Sequence, residues 1–105
     1  MPIRAETRNG VCHLAIEGEM TIYTAAELKN EITPHLSEPQ IEINLSGVSE
    51  MDSSGLQLLI LAKRETQRDE RVLHLTGHSQ AVLDVLDICN MAAYFGDPLI
   101  ISSHA

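Results

Sequence analysis

Apolar and polar residues alternate along two runs near the start of the chain, Ile3 to Arg8 and Val11 to Glu17. Asn9-Gly10 separates them, and both residue types tolerate positive φ, so the pattern predicts a β-hairpin. In the second run Cys12, Leu14 and Ile16 share one face and Val11, His13 and Ala15 the other. Both faces are fairly apolar, which predicts a strand in the interior of a sheet. Gly18-Glu19-Met20-Thr21 reads as a loop. Helical spacing follows from Tyr23 to Leu36, with Ala25, Leu28 and Ile32 as the buried stripe and Glu27, Lys29, Asn30 and Glu31 toward water. Pro34 is expected to end or kink that helix, and Ser37-Glu38-Pro39 to turn the chain.

Ile41, Ile43 and Leu45 alternate with Glu42 and Asn44, the pattern of a half-covered strand. Ser46 to Met51 reads as a second loop. The next helix carries Leu56, Leu59, Ile60 and Lys63 on one stripe, widened by Leu58 and Leu61, and so should lie between a sheet and another helix. Val72 to Thr76 predicts a short strand with Leu73 and Leu75 on one face. After Gly77-His78, Ser79 suits an N-cap, and Val82, Val85, Leu86 and Cys89 form the inward stripe of a last helix. Asp84 and Asp87 point outward, Asn90 suits a left-handed C-cap, and Leu99 to Ile101 suits an edge strand. The order β-β-α-β-α-β-α predicts an α/β domain spanning residues 1–105, with a small mixed sheet of four to five strands packed against helices. The hairpin supplies the antiparallel contact and right-handed crossovers supply the parallel ones.

Composition narrows the function classes. The chain has 105 residues, 44% of them hydrophobic, with Tyr23, Tyr94 and Phe95 as its only aromatics, so its core must be aliphatic. A net charge of −8 disfavours nucleic acid, whose phosphates repel an acidic surface. Lys63, Arg64, Arg68 and Arg71 are interleaved with Glu65, Asp69 and Glu70, the composition of a solvated helix face. Cys12 and Cys89 stand apart inside apolar patterns and read as core thiols in a reducing cytoplasm, with a disulfide between them as the alternative. The sequence shows neither a signal-like leader nor an apolar run of membrane-spanning length, which predicts a cytoplasmic protein with no membrane insertion.

The candidate chemistry lies in Met51-Asp52-Ser53-Ser54-Gly55-Leu56, where a strand hands over to a helix. The first turn of a helix has free N–H groups and the positive end of the dipole. A capping role explains one of these side chains and is worth about 1 kcal/mol. It does not explain two successive hydroxyls followed by a glycine, which costs about 1 kcal/mol against alanine in a helix. The local residues leave cap and phosphorylation switch both open. A nucleophilic serine would need a base and an oxyanion hole. Of His13, His35, His74, His78 and His104, the first and third lie within strand patterns and the last in a tail; His78 could approach if the strand ends converge, but Gly-x-Ser-x-Gly is absent. No metal-ligand spacing and no glycine-rich phosphate loop occur. The expectation is a protein that is not an enzyme and uses no metal and no cofactor.

Gly18-Glu19-Met20, the helix with Ala25 and Leu28, the strand Ile41 to Leu45, and above all Asp52-Ser53-Ser54-Gly55-Leu56 resemble the STAS domain, and more narrowly a stand-alone bacterial anti-sigma factor antagonist. The resemblance implies a regulatory binding protein that a serine kinase, itself the anti-sigma factor, phosphorylates on the first hydroxyl after the Asp. That residue is Ser53, with Ser54 the alternative. The unphosphorylated form would bind the kinase and free the sigma factor, and a metal-dependent serine phosphatase would reset the cycle. The implied partner-binding residues are Asp52, Ser53, Ser54, Gly55, Leu56 and Thr21. Thr21 departs from the family pattern, in which many antagonists carry Asp after the Gly-Glu-hydrophobic triplet. The alternative implied by the same resemblance is an unphosphorylated interaction module of a chemotaxis, stressosome or lipid-transport assembly.

Overall fold

The computed structural model describes residues 3–89. Asn9 and Gly10 take φ of +52° and +79°, the mirror-image turn whose twist suits a two-residue hairpin. They join β1 (Ile3–Arg8) to β2 (Val11–Met20), paired antiparallel with Arg8 opposite Val11. β3 (Gln40–Met51) and β4 (Val72–Thr76) add in parallel, giving among the described residues a four-stranded mixed sheet in the order β1-β2-β3-β4. The apolar second strand is interior, as its two-faced pattern predicts.

Both segments read as loops, Gly18–Thr21 and Ser46–Met51, are in large part strand. Their ends pair with each other through Glu17–Gly47, Gly18–Val48, Glu19–Glu50 and Met20–Met51, with two register shifts that absorb the irregular sequence. Burial of Met20 and Val48 holds the extension in place. Adjacent parallel strands therefore end together, at Met20 and Met51.

The first helix is shorter than its periodicity predicts. α1 covers Ala25–Ile32, and a 3₁₀ turn, Thr33–Ser37, follows it. Pro34 lies at the start of that turn, where its missing N–H breaks no helical bond. α2 (Ser53–Arg68) buries Gly55, Leu56, Leu58, Leu59, Ala62 and Thr66, while Ile60, Leu61 and Lys63 are only half-buried. The predicted stripe is thus rotated. Gly55 and Thr66 do not read as apolar, yet Thr66 is buried because its hydroxyl donates to the Ala62 and Lys63 carbonyls at 3.0 and 2.9 Å.

Ser79 caps α3 (Gln80–Ile88), its hydroxyl accepting from the Val82 N–H at 3.3 Å. Val82, Leu83 and Leu86 are buried, but Cys89 is exposed, because α3 ends at Ile88 and Cys89 is its C-cap. Cys12 is buried, and both thiols are free, so only one cysteine belongs to the core. Asn90 and Leu99 to Ile101 lie outside the described residues. One sheet face, with Leu14, Ile16, Ile41, Ile43, Leu45 and Leu75, is buried in an aliphatic core; the other, with His13, Glu42, Asn44 and His74, is exposed or half-buried.

Candidate functional site

The carboxyl ends of β2 and β3 bring two short segments side by side, Thr21–Thr24 and Asp52–Gly55. A backbone bond ties them, the Asp52 N–H donating to the Met20 carbonyl at 3.2 Å. Asp52 is the N-cap of α2, with extended backbone. Its Oδ1 accepts from the N–H groups of Ser54 at 2.8 Å and Gly55 at 3.3 Å. Its Oδ2 accepts from the Ile22 N–H at 3.0 Å, across from the other segment. One carboxylate thus starts the helix and anchors the neighbouring loop. The Ile22 N–H contributes most to holding this carboxyl below the usual carboxylate range, and the Ser54 and Gly55 N–H groups add to it against an opposing desolvation effect.

Gly55 sets how closely α2 meets β2. A Cβ built there would overlap the Met20 carbonyl oxygen and lie 2.9 Å from the Met20 Cβ. Only glycine allows the approach. It leaves Ser53 as the first helical residue, exposed, with Ser54 half-buried behind it.

Thr21 and Leu56 are buried, at 7% and 6% exposed, and Gly55 is buried as well. These three residues shape the corner from inside, whereas Ser53 faces solvent. The Thr21 hydroxyl donates to the Glu19 carboxylate at 3.2 Å and accepts from the Tyr23 N–H at 3.3 Å. The Thr24 hydroxyl closes the same turn, donating to the Glu19 carbonyl at 2.9 Å and accepting from the Thr21 N–H at 3.0 Å. The turn pushes Ile22 and Tyr23 outward, 69% and 91% exposed. Sequence reasoning missed this pair. Its only signal is two large apolar residues in succession before a helix, and the same pattern suits a buried helix start.

Beside the corner, a shallow groove of about 630 Å³ lies between α1 and α2, with Ala25, Lys29, Ser54, Gln57 and Arg64 in its lining. No group of three or more His, Cys, Asp or Glu placed to hold a metal occurs among the described residues. No helix among them is long and apolar enough to cross a membrane.

Similar proteins share both chain and fold. An anti-sigma-B factor antagonist of Staphylococcus epidermidis is 28% identical over 91 residues, 85% of this chain and 84% of the relative. The crystal structure of an anti-sigma factor antagonist from Mycobacterium paratuberculosis superimposes with a TM-score of 0.78 at 22% identity, covering 93% of this chain and 86% of that one. The Bacillus cell fate determinant SpoIIAA in its phosphorylated form gives 0.68 at 18% identity, covering 96% and 95%. The family described as Mlab, STAS domain matches residues 3–100, and the chain belongs to this STAS family.

Proposed function

We propose that this chain is an anti-sigma factor antagonist switched by phosphorylation of Ser53. In its unmodified form it binds an anti-sigma factor that is also a serine kinase, and so relieves sigma-factor inhibition. Phosphorylation blocks that binding, and a metal-dependent serine phosphatase reverses it. The observation that carries the reading is the exposed Ser53 at the start of α2, next to exposed Ile22 and Tyr23. A kinase can reach the hydroxyl, and a partner can bury the apolar pair. The Staphylococcus relative's role supports the reading, as does a phosphorylated form of SpoIIAA on the same fold.

Phosphate adds about −1.5 to −2 charges at neutral pH. Placed beside two large apolar side chains, it would have to be desolvated for a partner to cover them, on a chain that already carries −8. Binding falls while the core is unaffected, because the exposed Ser53 hydroxyl is not part of it.

A second reading, an unphosphorylated interaction module of a larger assembly, is favoured by Thr21. Where many antagonists present Asp, this chain has a buried hydroxyl. One experiment separates the two. The protein is incubated with the serine kinase of its own genome and ATP, and the modified residue is mapped. Label on Ser53, with constitutive binding by Ser53→Ala and weak binding by Ser53→Asp, supports the switch. Label on Ser54 alone moves the site, and no label on either serine leaves the second reading.

A further inference from the structure

The groove between α1 and α2 carries a charge pattern at odds with the rest of the chain. Ala25 and Ala26 line it from α1 and Leu58, Ile60 and Leu61 from α2, together with the polar Ser54, Gln57, Lys29 and Arg64, and Arg64 lies furthest along α2 from Ser54. Arg4, Arg8, Arg68 and Arg71 each pair with a carboxylate. Among the described residues Lys29 and Arg64 are in no ion pair. The sequence explains why. Helical neighbours lie three and four positions away. For Lys29 these are Ala25, Ala26, Ile32 and Thr33, and for Arg64 they are Ile60, Leu61, Gln67 and Arg68. Neither set holds a carboxylate. Glu65 lies next to Arg64 in the chain, but it is engaged by Arg68 at 2.7 Å. On a protein of net charge −8, two unneutralised cations from different helices face one groove of mixed polar and apolar lining.

Ten residues of helix separate Ser54 from Arg64, about 15 Å along the axis. That exceeds the Debye length of about 8 Å at physiological salt. A phosphate on Ser53 would therefore leave Arg64 largely unneutralised. Arg64 is left for something else.

We propose that the groove receives an amphipathic helix of the anti-sigma partner, apolar face down, whose acidic end lies over Lys29 and Arg64. The inference rests on the antagonist reading and adds the partner's chemistry to it. The apolar walls match one face of a helix, and the paired cations match Asp or Glu at its end. They also fix its direction, since the reversed helix would set its carboxylates beside the phosphorylation corner. The switch and the cations thus read opposite ends of one ligand. Phosphorylation rejects it at Ser53, and Arg64, with Lys29 on the facing helix, holds its acidic end.

The test measures binding of the unphosphorylated full chain to its serine-kinase anti-sigma factor by calorimetry at low and high salt. Lys29→Glu with Arg64→Glu is expected to weaken binding tenfold or more at low salt and to flatten its salt dependence. Arg4→Glu with Arg8→Glu changes the net charge equally, away from the groove, and is expected to leave affinity within twofold. All four residues are exposed, so each variant should keep the wild-type melting profile. Groove reversal that leaves affinity within twofold overturns the proposal, as does an equal loss from the distant reversal. Binding that survives groove reversal but is still abolished by phosphorylation overturns the groove alone and spares the switch. A wild-type chain that binds the kinase in neither state overturns both.

Discussion

Replacing Gly55 with alanine should destabilise the protein, against the usual rule. In a helix alanine is better than glycine by up to about 1 kcal/mol. Here the added methyl would overlap the Met20 carbonyl oxygen and sit 2.9 Å from the Met20 Cβ, where comfortable carbon contacts begin near ~3.5 Å. Either α2 or the end of β2 must retreat by at least several tenths of an ångström. Overpacking of this kind costs about 1–3 kcal/mol. Retreat also stretches the bond from the Asp52 N–H to the Met20 carbonyl, already 3.2 Å long, and losing it costs about 0.5–1.5 kcal/mol more. After the helical gain is subtracted, the net loss is about 2 kcal/mol, or roughly 10 °C in Tm for a domain this size. Urea unfolding followed by circular dichroism measures it, with an unchanged denaturant slope showing that the same surface is still exposed. A Gly55→Ala protein as stable as the wild type, or more so, would refute the close approach of α2 to β2 and, with it, the geometry that presents Ser53.

Three further outcomes are expected. Asp52→Asn keeps a capping oxygen but removes the charge. The folded carboxyl titrates below its unfolded value of about 3.9, so the stabilisation from its charge is present above that pH and is lost as pH falls through the lower folded value. The stability gap between wild type and variant, from unfolding curves between pH 7 and pH 2.5, should close at the acid end; a gap constant with pH contradicts the assignment. Burial, reinforced by the charge of Glu38, pushes the Cys12 thiol up, so a coloured thiol reagent at neutral pH should label exposed Cys89 rapidly and Cys12 only with unfolding. Cys89→Ser should remove the fast phase. Leu14 is 1% exposed in the interior strand, and Leu14→Ala should cost about 2–5 kcal/mol in the same unfolding assay.

Local chemistry made most of the architecture readable. Asn9-Gly10 encodes its turn directly, because both residues take the positive φ that a two-residue hairpin requires. Alternation marks β3 from Ile41 to Leu45, and Ser79 announces its helix through a hydroxyl that caps it. What could not be read depends on partners distant in sequence. The ends of β2 and β3 are rich in Gly and Ser and lack alternation, and they are strands only because each pairs with the other. Thr66 is buried because its hydroxyl bonds back onto its own helix, which composition does not reveal. Cys89 follows the apolar periodicity of α3, but the helix stops before that periodicity can bury it. At the site, the sequence shows the hydroxyls and the capping Asp. It does not show that Asp52 reaches Ile22, thirty positions back in the chain, nor that Lys29 and Arg64 share a groove. Those relations exist only once β2 and β3 are aligned side by side.

The double role of Asp52 bears on how the proposed switch would work. A phosphate at a helix start ordinarily draws on the free N–H groups of the first turn. Here Asp52 already occupies those of Ser54 and Gly55, and its second oxygen holds Ile22. A phosphate on Ser53 would therefore meet a turn in which two of the donors are already engaged, next to a carboxylate that its hydrogen bonds favour in the charged form. Taking those donors would mean displacing Asp52 and freeing the Ile22–Tyr23 loop, so the lower-cost arrangement leaves the anion on the surface, hydrated and facing outward. Its charge is then directed at whatever would cover Ile22 and Tyr23, and very little of it is absorbed by the fold. In the proposed switch, the residue that caps α2 beside Ser53 would also keep the modification from becoming a conformational change.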